Sequence, residues 1–225
     1  NDANGDGSIG TNDKAWVFTG LRRGGSSYYA LDVSLRDEPK IKWKIDPTSQ
    51  SNAFKRLGQT WSKPTVTHIK NPGTGVITPV LVFGGGYSVN KDTDGIGTKD
   101  SVGNAIYIVN ADTGALMWSA SPDSTTSKNL SVPFTDSIPS SIAVMDSDFD
   151  GLADRMYFGD TGGNVWRVDL PDQNPFDQKN PWTVVKIAEL GSELLDSEDL
   201  RFFNEPSIAR SFTTVTTKDT VVDNQ

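Results

Sequence analysis

Three stretches of the chain repeat the same order of strand-like segments. In each stretch, an apolar run that ends in glycine is followed by a second run that ends in Asp or Asn. The paired runs are Trp16–Gly20 with Tyr28–Asp32, Val80–Gly84 with Ala105–Asn110, and Arg155–Gly159 with Asn164–Asp169. Alternating residues rich in Val, Ile, Tyr and Phe predict β-strands, and a third strand near a Trp completes each stretch. The chain is therefore predicted to be all-β.

A further short segment that opens with proline precedes two of these stretches, and another follows the third. These segments are Pro64–Val66, Pro139–Ile142 and Pro206–Ile208. Four antiparallel strands per repeat predict the blades of a quinoprotein-like β-propeller; a β-sandwich is the alternative. About three blades cannot close a ring of four to eight, so residues 1–225 are predicted to be a single domain forming part of a propeller. Ser192–Phe203 carries a helix signal, and 213–225 reads as a final strand.

Four tryptophans recur at matching places in the repeats. They are Trp43, Trp118, Trp166 and Trp182. Large aromatic side chains at equivalent positions favour packing between neighbouring blades over a cage for a ligand.

Asp146–Asp154 carries the strongest binding signal in the sequence. Carboxylates stand at positions 1, 3, 5 and 9 of this segment (Asp146, Asp148, Asp150 and Asp154), and Gly151 stands at position 6. A calcium ion takes six to eight oxygen ligands, and a glycine allows the sharp turn that brings in the backbone carbonyl of Leu152. The predicted metal ligands are thus Asp146, Asp148, Asp150, Leu152 and Asp154, with Ca²⁺ preferred to Mg²⁺. A solvated acidic turn is the alternative.

Two other segments begin in a similar way. Near the start of the chain, the residues Asp2, Asn4, Asp6, Ser8 and Asp13 form a weaker candidate for a second metal site. The segment 90–96 repeats the pattern, with Asp100 downstream. Both segments also suit ordinary Asx-rich turns.

Composition removes several classes of function. The net charge of −8 disfavours nucleic acid and anionic lipid, and there is no cysteine for a thiolate site or nucleophile. No apolar run reaches the roughly 20 residues of a membrane-spanning helix. The single histidine, His68, lies in a predicted strand and is expected at the surface. Gly84–Gly86 follows a strand but opens no helix, so it is a poor phosphate-binding loop.

The sequence also resembles a known family, the PilY/PilC proteins associated with type IV pilus tips. The resemblance covers about residues 14 to 210 and rests on Gly20–Val33, Gly84–Tyr87, Asp100–Val109 and Asp146–Asp160. It implies the C-terminal propeller domain of that family, with calcium held by the 146–154 loop. It also implies pilus assembly, calcium-dependent control of retraction and twitching motility, and surface adhesion outside a Gram-negative bacterium. Pilin subunits, the pilus machinery and a host-cell receptor are the implied partners.

A calcium-regulated assembly and binding module, without enzymatic activity, is the leading hypothesis. A quinoprotein-like dehydrogenase is an alternative, because Asn110–Gly114 followed by Trp118 matches the blade pattern of those enzymes. A carbohydrate-binding propeller is the third. The Arg-Gly-Asp motif that some members of the family carry is absent from this sequence.

Overall fold

A computed structural model describes residues 13–93, 97–192 and 199–211, and within them the chain is almost entirely β. Twelve strands are present in these residues: β1 Trp16–Gly20, β2 Tyr28–Asp32, β3 Lys40–Ile45, β4 Thr65–Lys70, β5 Ile77–Gly84, β6 Ile106–Asn110, β7 Leu116–Ser121, β8 Asn129–Ser131, β9 Ala143–Met145, β10 Arg155–Gly159, β11 Asn164–Asp169 and β12 Thr183–Glu189. A short helix (Ser49–Asn52) and a 3₁₀ turn (Val89–Asp92) complete the regular structure.

The strands form three separate sheets in chain order. The first sheet has the order β1-β2-β3, the second β4-β5-β6-β7-β8, and the third β12-β11-β10-β9. Neighbouring strands pair antiparallel, except that β7 and β8 are parallel. Consecutive strands therefore lie side by side, as in propeller blades, and the three sheets form part of a propeller that does not close.

Several sequence predictions need correction. The sheets contain three, five and four strands rather than four each. The strand predicted at Pro139–Ile142 instead lies at Ala143–Met145, and Pro206–Ile208 is not a strand. Ser192 and residues 199–203 are not helical, while the rest of the predicted helix and the strand predicted at 213–225 lie outside the described residues.

The second and third sheets share one hydrophobic core. The rings of Trp118 and Trp182 meet edge to face with centroids 5.3 Å apart. Trp166 packs against Phe134 at 4.9 Å. All four side chains belong to one buried cluster, so these tryptophans pack in the core that the second and third sheets share, as the sequence favours.

A second core lies between the first and second sheets. Tyr28 and Phe83, one from each sheet, have ring centroids 4.2 Å apart. The indole N–H of Trp43 donates to the carbonyl of Ala111 across the same boundary at 3.1 Å. These contacts hold the first sheet against the second.

At Gly84–Gly86 the backbone passes very close to two other backbone segments. Gly86 has a φ of +92°, and a β-carbon added there would lie 2.0 Å from the carbonyl oxygen of Gln59. At Gly84 the added atom would lie 2.3 Å from the carbonyl oxygen of Ile138. No side chain fits at such distances, so the glycines let three segments from different parts of the chain meet.

Helices in the described residues are short, and none has the length and apolar character needed to cross a membrane.

Candidate metal site

The acidic segment 146–154 connects β9 to β10 and is attached to two sheets. Within the third sheet, Asp154 N–H donates to the carbonyl of Met145 at 3.0 Å. The neighbouring Ala153 N–H donates to the carbonyl of His68, on β4 of the second sheet, at 2.9 Å. The His68 side chain is exposed, as the sequence predicts. The loop therefore lies where the second and third sheets meet.

Asp146 organises the turn. One of its carboxylate oxygens accepts the N–H of Phe149 at 2.6 Å, and the other accepts the N–H of Gly151 at 2.8 Å. Phe149 and Gly151 both have positive φ, at 67° and 87°. Partial desolvation acts to raise the pKa of Asp146, but the backbone amides that it accepts outweigh this effect and hold the pKa below its ordinary value. Asp146 is therefore ionised at neutral pH.

Three of the predicted ligands come together. One carboxylate oxygen from each of Asp146, Asp148 and Asp154 lies within 4.8 Å of the others. Asp150 is not part of this cluster, and its carboxylate accepts the N–H of Leu152 at 2.8 Å. The cluster thus contains three of the four carboxylates predicted as ligands.

The chemistry of this cluster suits a hard divalent cation. The three side chains offer oxygen donors only, and like charges this close repel one another unless a cation lies between them. None of the three is fully buried, so the site is accessible from solvent. Oxygen donors on a short turn fit calcium, which tolerates irregular geometry better than magnesium does.

Sequence reasoning missed some residues around the cluster. Ser147 donates to Asp154 through its hydroxyl and through its N–H, the latter at 2.6 Å. A cavity of about 240 Å³ beside the loop is lined by Asp148 and Asp154 and, from other segments, by Lys70, Asp172 and Gln173 among others. Ser147 could have been found from its place between two ligands. The residues from other segments could not, because only the fold brings them to the loop.

The weaker second site is not tested by the structure. Asp2, Asn4, Asp6 and Ser8 lie outside the described residues, and Asp13 is buried. The second site therefore stays a prediction.

Lys91, in the segment 90–96, belongs to a buried charge cluster. Lys91 is 6% exposed, and its ammonium lies 2.7 Å from a carboxylate oxygen of Asp136 and 4.0 Å from one of Asp100. Asp100 also accepts the N–H of Ser137 at 2.7 Å. Burial raises the pKa of Asp100, and the Lys91 ammonium and the Ser137 amide offset this only in part. Asp94 lies outside the described residues, so the metal site predicted for this segment is also untested.

Comparison with known proteins identifies the family. The sequence model of one protein family, described as the PilY1 beta-propeller domain, matches residues 5–191. The chain belongs to this family. Type IV pilus biogenesis factor PilY1 of Pseudomonas aeruginosa strain UCBPP-PA14 is 32% identical over 164 residues, which are 70% of this chain and 12% of that protein. A PilY1 homolog of Xylella fastidiosa strain Temecula1 is 28% identical over 176 residues, 72% of this chain and 10% of that protein.

A solved structure supports the same family. The crystal structure of the Pseudomonas aeruginosa PilY1 C-terminal domain matches with a TM-score of 0.59 and 27% identity, covering 87% of this chain and 38% of that chain. The predicted PilY/PilC resemblance and the partial propeller are thereby confirmed. The chain spans only 10–12% of the length of the two relatives described above, so what the whole relatives do is treated as a proposal for this chain.

Proposed function

We propose that this chain is a calcium-binding propeller module of a type IV pilus biogenesis protein. The observation that carries the proposal is the convergence of Asp146, Asp148 and Asp154 within 4.8 Å on a loop that touches two sheets. Its propeller family supports the pilus role, since the relatives are named type IV pilus biogenesis factors. The proposed role is assembly and binding rather than catalysis.

The proposed mechanism is electrostatic. Without a cation, the three carboxylates repel one another; with calcium bound, that repulsion becomes attraction and the loop takes one conformation. A ligand that binds only the ordered state stabilises it by RT ln(1 + [L]/Kd). The ordered loop would then hold the module in the form that engages pilin subunits or other parts of the pilus machinery.

Control of pilus retraction and twitching motility, and adhesion to a host-cell receptor, are the proposed consequences. They place the module at the cell surface of a Gram-negative bacterium, associated with the pilus. The organisms of the relatives, Pseudomonas aeruginosa and Xylella fastidiosa, support this placement.

Calorimetric titration tests the metal site directly. Ca²⁺ is added to the chelator-treated full chain and to the variants Asp148→Asn and Asp37→Asn. Asp37 is exposed and lies outside the loop, so Asp37→Asn is a matched control for the loss of one carboxylate. We expect saturable calcium binding, tighter than magnesium binding, that Asp148→Asn weakens at least tenfold and Asp37→Asn leaves unchanged. Equal affinity in all three proteins would contradict the assignment.

A motility assay then tests the biological part. A bacterium that carries Asp148→Asn in its full-length protein should make the protein at normal levels but show altered twitching. If calcium binding is lost and twitching and surface attachment are unchanged, the metal site stands and its regulatory role fails. Dye-linked alcohol oxidation by the wild-type chain would instead support the quinoprotein alternative.

A further inference from the structure

Phe149, in the middle of the loop 146–154, is the large apolar residue that the described structure leaves most exposed. It is 75% exposed, the highest value among the large apolar residues in the described parts of the chain. Asp148, Asp150 and Gly151 beside it are exposed as well, and a β-carbon added at Gly151 would meet nothing within 4 Å. The tip of the loop therefore projects into open space and leaves room for a second molecule.

The backbone of Phe149 has a conformation that an aromatic residue rarely adopts. Its φ is +67°, in the left-handed region, where Gly, Asn and Asp are common and a bulky residue is an outlier. Among the described residues, the other non-glycine positions with positive φ are all polar: Arg22, Gln50, Ser51 and Asn52. An asparagine at position 149 would suit the turn better than phenylalanine does. Folding of the loop therefore gives no reason for the aromatic ring, and such an outlier points to a role in function.

The surroundings of the ring are acidic, and a cation already lies on it. The guanidinium of Arg210 lies 4.6 Å from the centroid of the Phe149 ring, in a cation–π contact. The four carboxylates of the loop, with a divalent ion bound as proposed above, would still leave a charge of −4 + 2 = −2. The loop therefore attracts arginine and lysine side chains around the exposed ring and repels acidic surfaces.

We propose that Phe149 is the anchor of a protein–protein contact, inserted into an apolar pocket whose rim carries Lys or Arg. Aromatic side chains that fill a pocket of the partner are common at the centres of interfaces, and the carboxylates beside Phe149 would pair with the basic rim. A membrane surface fits less well, because anionic lipid head groups and the acidic loop repel each other. The contact is additional to the proposed calcium binding and can be tested without it.

Photo-crosslinking in the bacterium tests the contact. In the full-length protein, the photoreactive residue p-benzoylphenylalanine replaces Phe149 or, as a control, Leu35, which is 55% exposed in the turn between β2 and β3. We expect position 149 to crosslink to another protein, at residues of an apolar pocket with Lys or Arg at its rim, and position 35 not to crosslink to it. Crosslinks at 149 no stronger than at 35, only within the same chain, only to lipid, or to a site without Lys or Arg would overturn the inference.

A variant separates this role from a structural one. Phe149→Asn should leave Tm unchanged or raise it by a few degrees, because asparagine tolerates the left-handed backbone. The same variant should reduce co-purification of the crosslinked protein about fivefold or more, whereas Leu35→Asn should leave it unchanged. A Tm lowered by more than about 4 °C would show that the ring supports the fold. That result, or co-purification that Phe149→Asn leaves unchanged, would overturn the inference.

Discussion

Lys91 should be costly to replace, because its ammonium is buried beside the carboxylates of Asp136 and Asp100. The Lys91 and Asp136 side chains are each 5% exposed and form a 2.7 Å ion pair, and Lys91 also donates to the carbonyl of Thr98 at 2.9 Å. In Lys91→Met, the side-chain length and most of the packing remain. Asp136 then keeps a buried charge, and among the described residues only the Thr135 hydroxyl still donates a hydrogen bond to it. Removing one partner of a buried pair costs about 3–5 kcal/mol in the free energy of unfolding.

The matched control is an exposed ion pair. Lys186 lies 3.5 Å from Glu189, with side chains 36% and 65% exposed, so Lys186→Met should cost about 1 kcal/mol or less. In a thermal melt, Lys91→Met should lower Tm by about 10 °C, since 1 kcal/mol corresponds to about 2–4 °C in a chain of this size. Adding Asp136→Asn to Lys91→Met should restore part of the loss. A fall in Tm no larger than that of Lys186→Met would refute the reasoning.

Three further predictions concern the same framework. Gly86→Ala should destabilise the chain by several kcal/mol, because the new methyl would overlap the carbonyl of Gln59; chemical denaturation measures this, and a loss below about 1 kcal/mol would contradict the close approach. Trp182→Ala should cost about 3–5 kcal/mol by removing the edge-to-face partner of Trp118, and a loss under 2 kcal/mol in the same assay would show a replaceable contact. Burial raises the pKa of Asp100 in the folded chain above its unfolded value, so its contribution to stability is fully present below about pH 4 and is lost as pH rises through the folded pKa. Asp100→Asn should therefore gain stability relative to the wild type between pH 4 and pH 7, and a constant difference across that range in urea unfolding would refute the shift.

The strands that the sequence predicts accurately are those whose apolar side chains alternate between clear turn signals. β1, β2, β10 and β11 begin and end at the predicted residues, because alternating apolar side chains directly reflect burial of one sheet face. β8 was missed, since Asn129–Ser131 has three residues and no alternation. Its pairing to β7 depends on side chains such as Asn129, which accepts hydrogen bonds from Ser119 and Ser121.

The charged clusters, too, could be predicted from the sequence only in part. The clustering of Asp146, Asp148 and Asp154 follows from local spacing, so the sequence was enough to predict it. The burial of Lys91 does not follow from spacing. In the sequence it stands in an Asn- and Asp-rich turn, and its partner Asp136 is 45 residues away. The fold brings the two segments together, since Gly86 forms an isolated bridge to Ile138 close to each of them.

The hydrogen bond from Ala153 to His68 gives the acidic loop 146–154 a mechanical role. The loop joins β9 to β10 and is also hydrogen-bonded to β4, so it connects the second and third sheets directly. A pulling force that separates these sheets must break this bond as well as the aromatic contacts of the shared core. Whatever stiffens the loop should therefore raise the force at which the two sheets come apart, so that the mechanical strength of the module can be adjusted at a single turn of the chain.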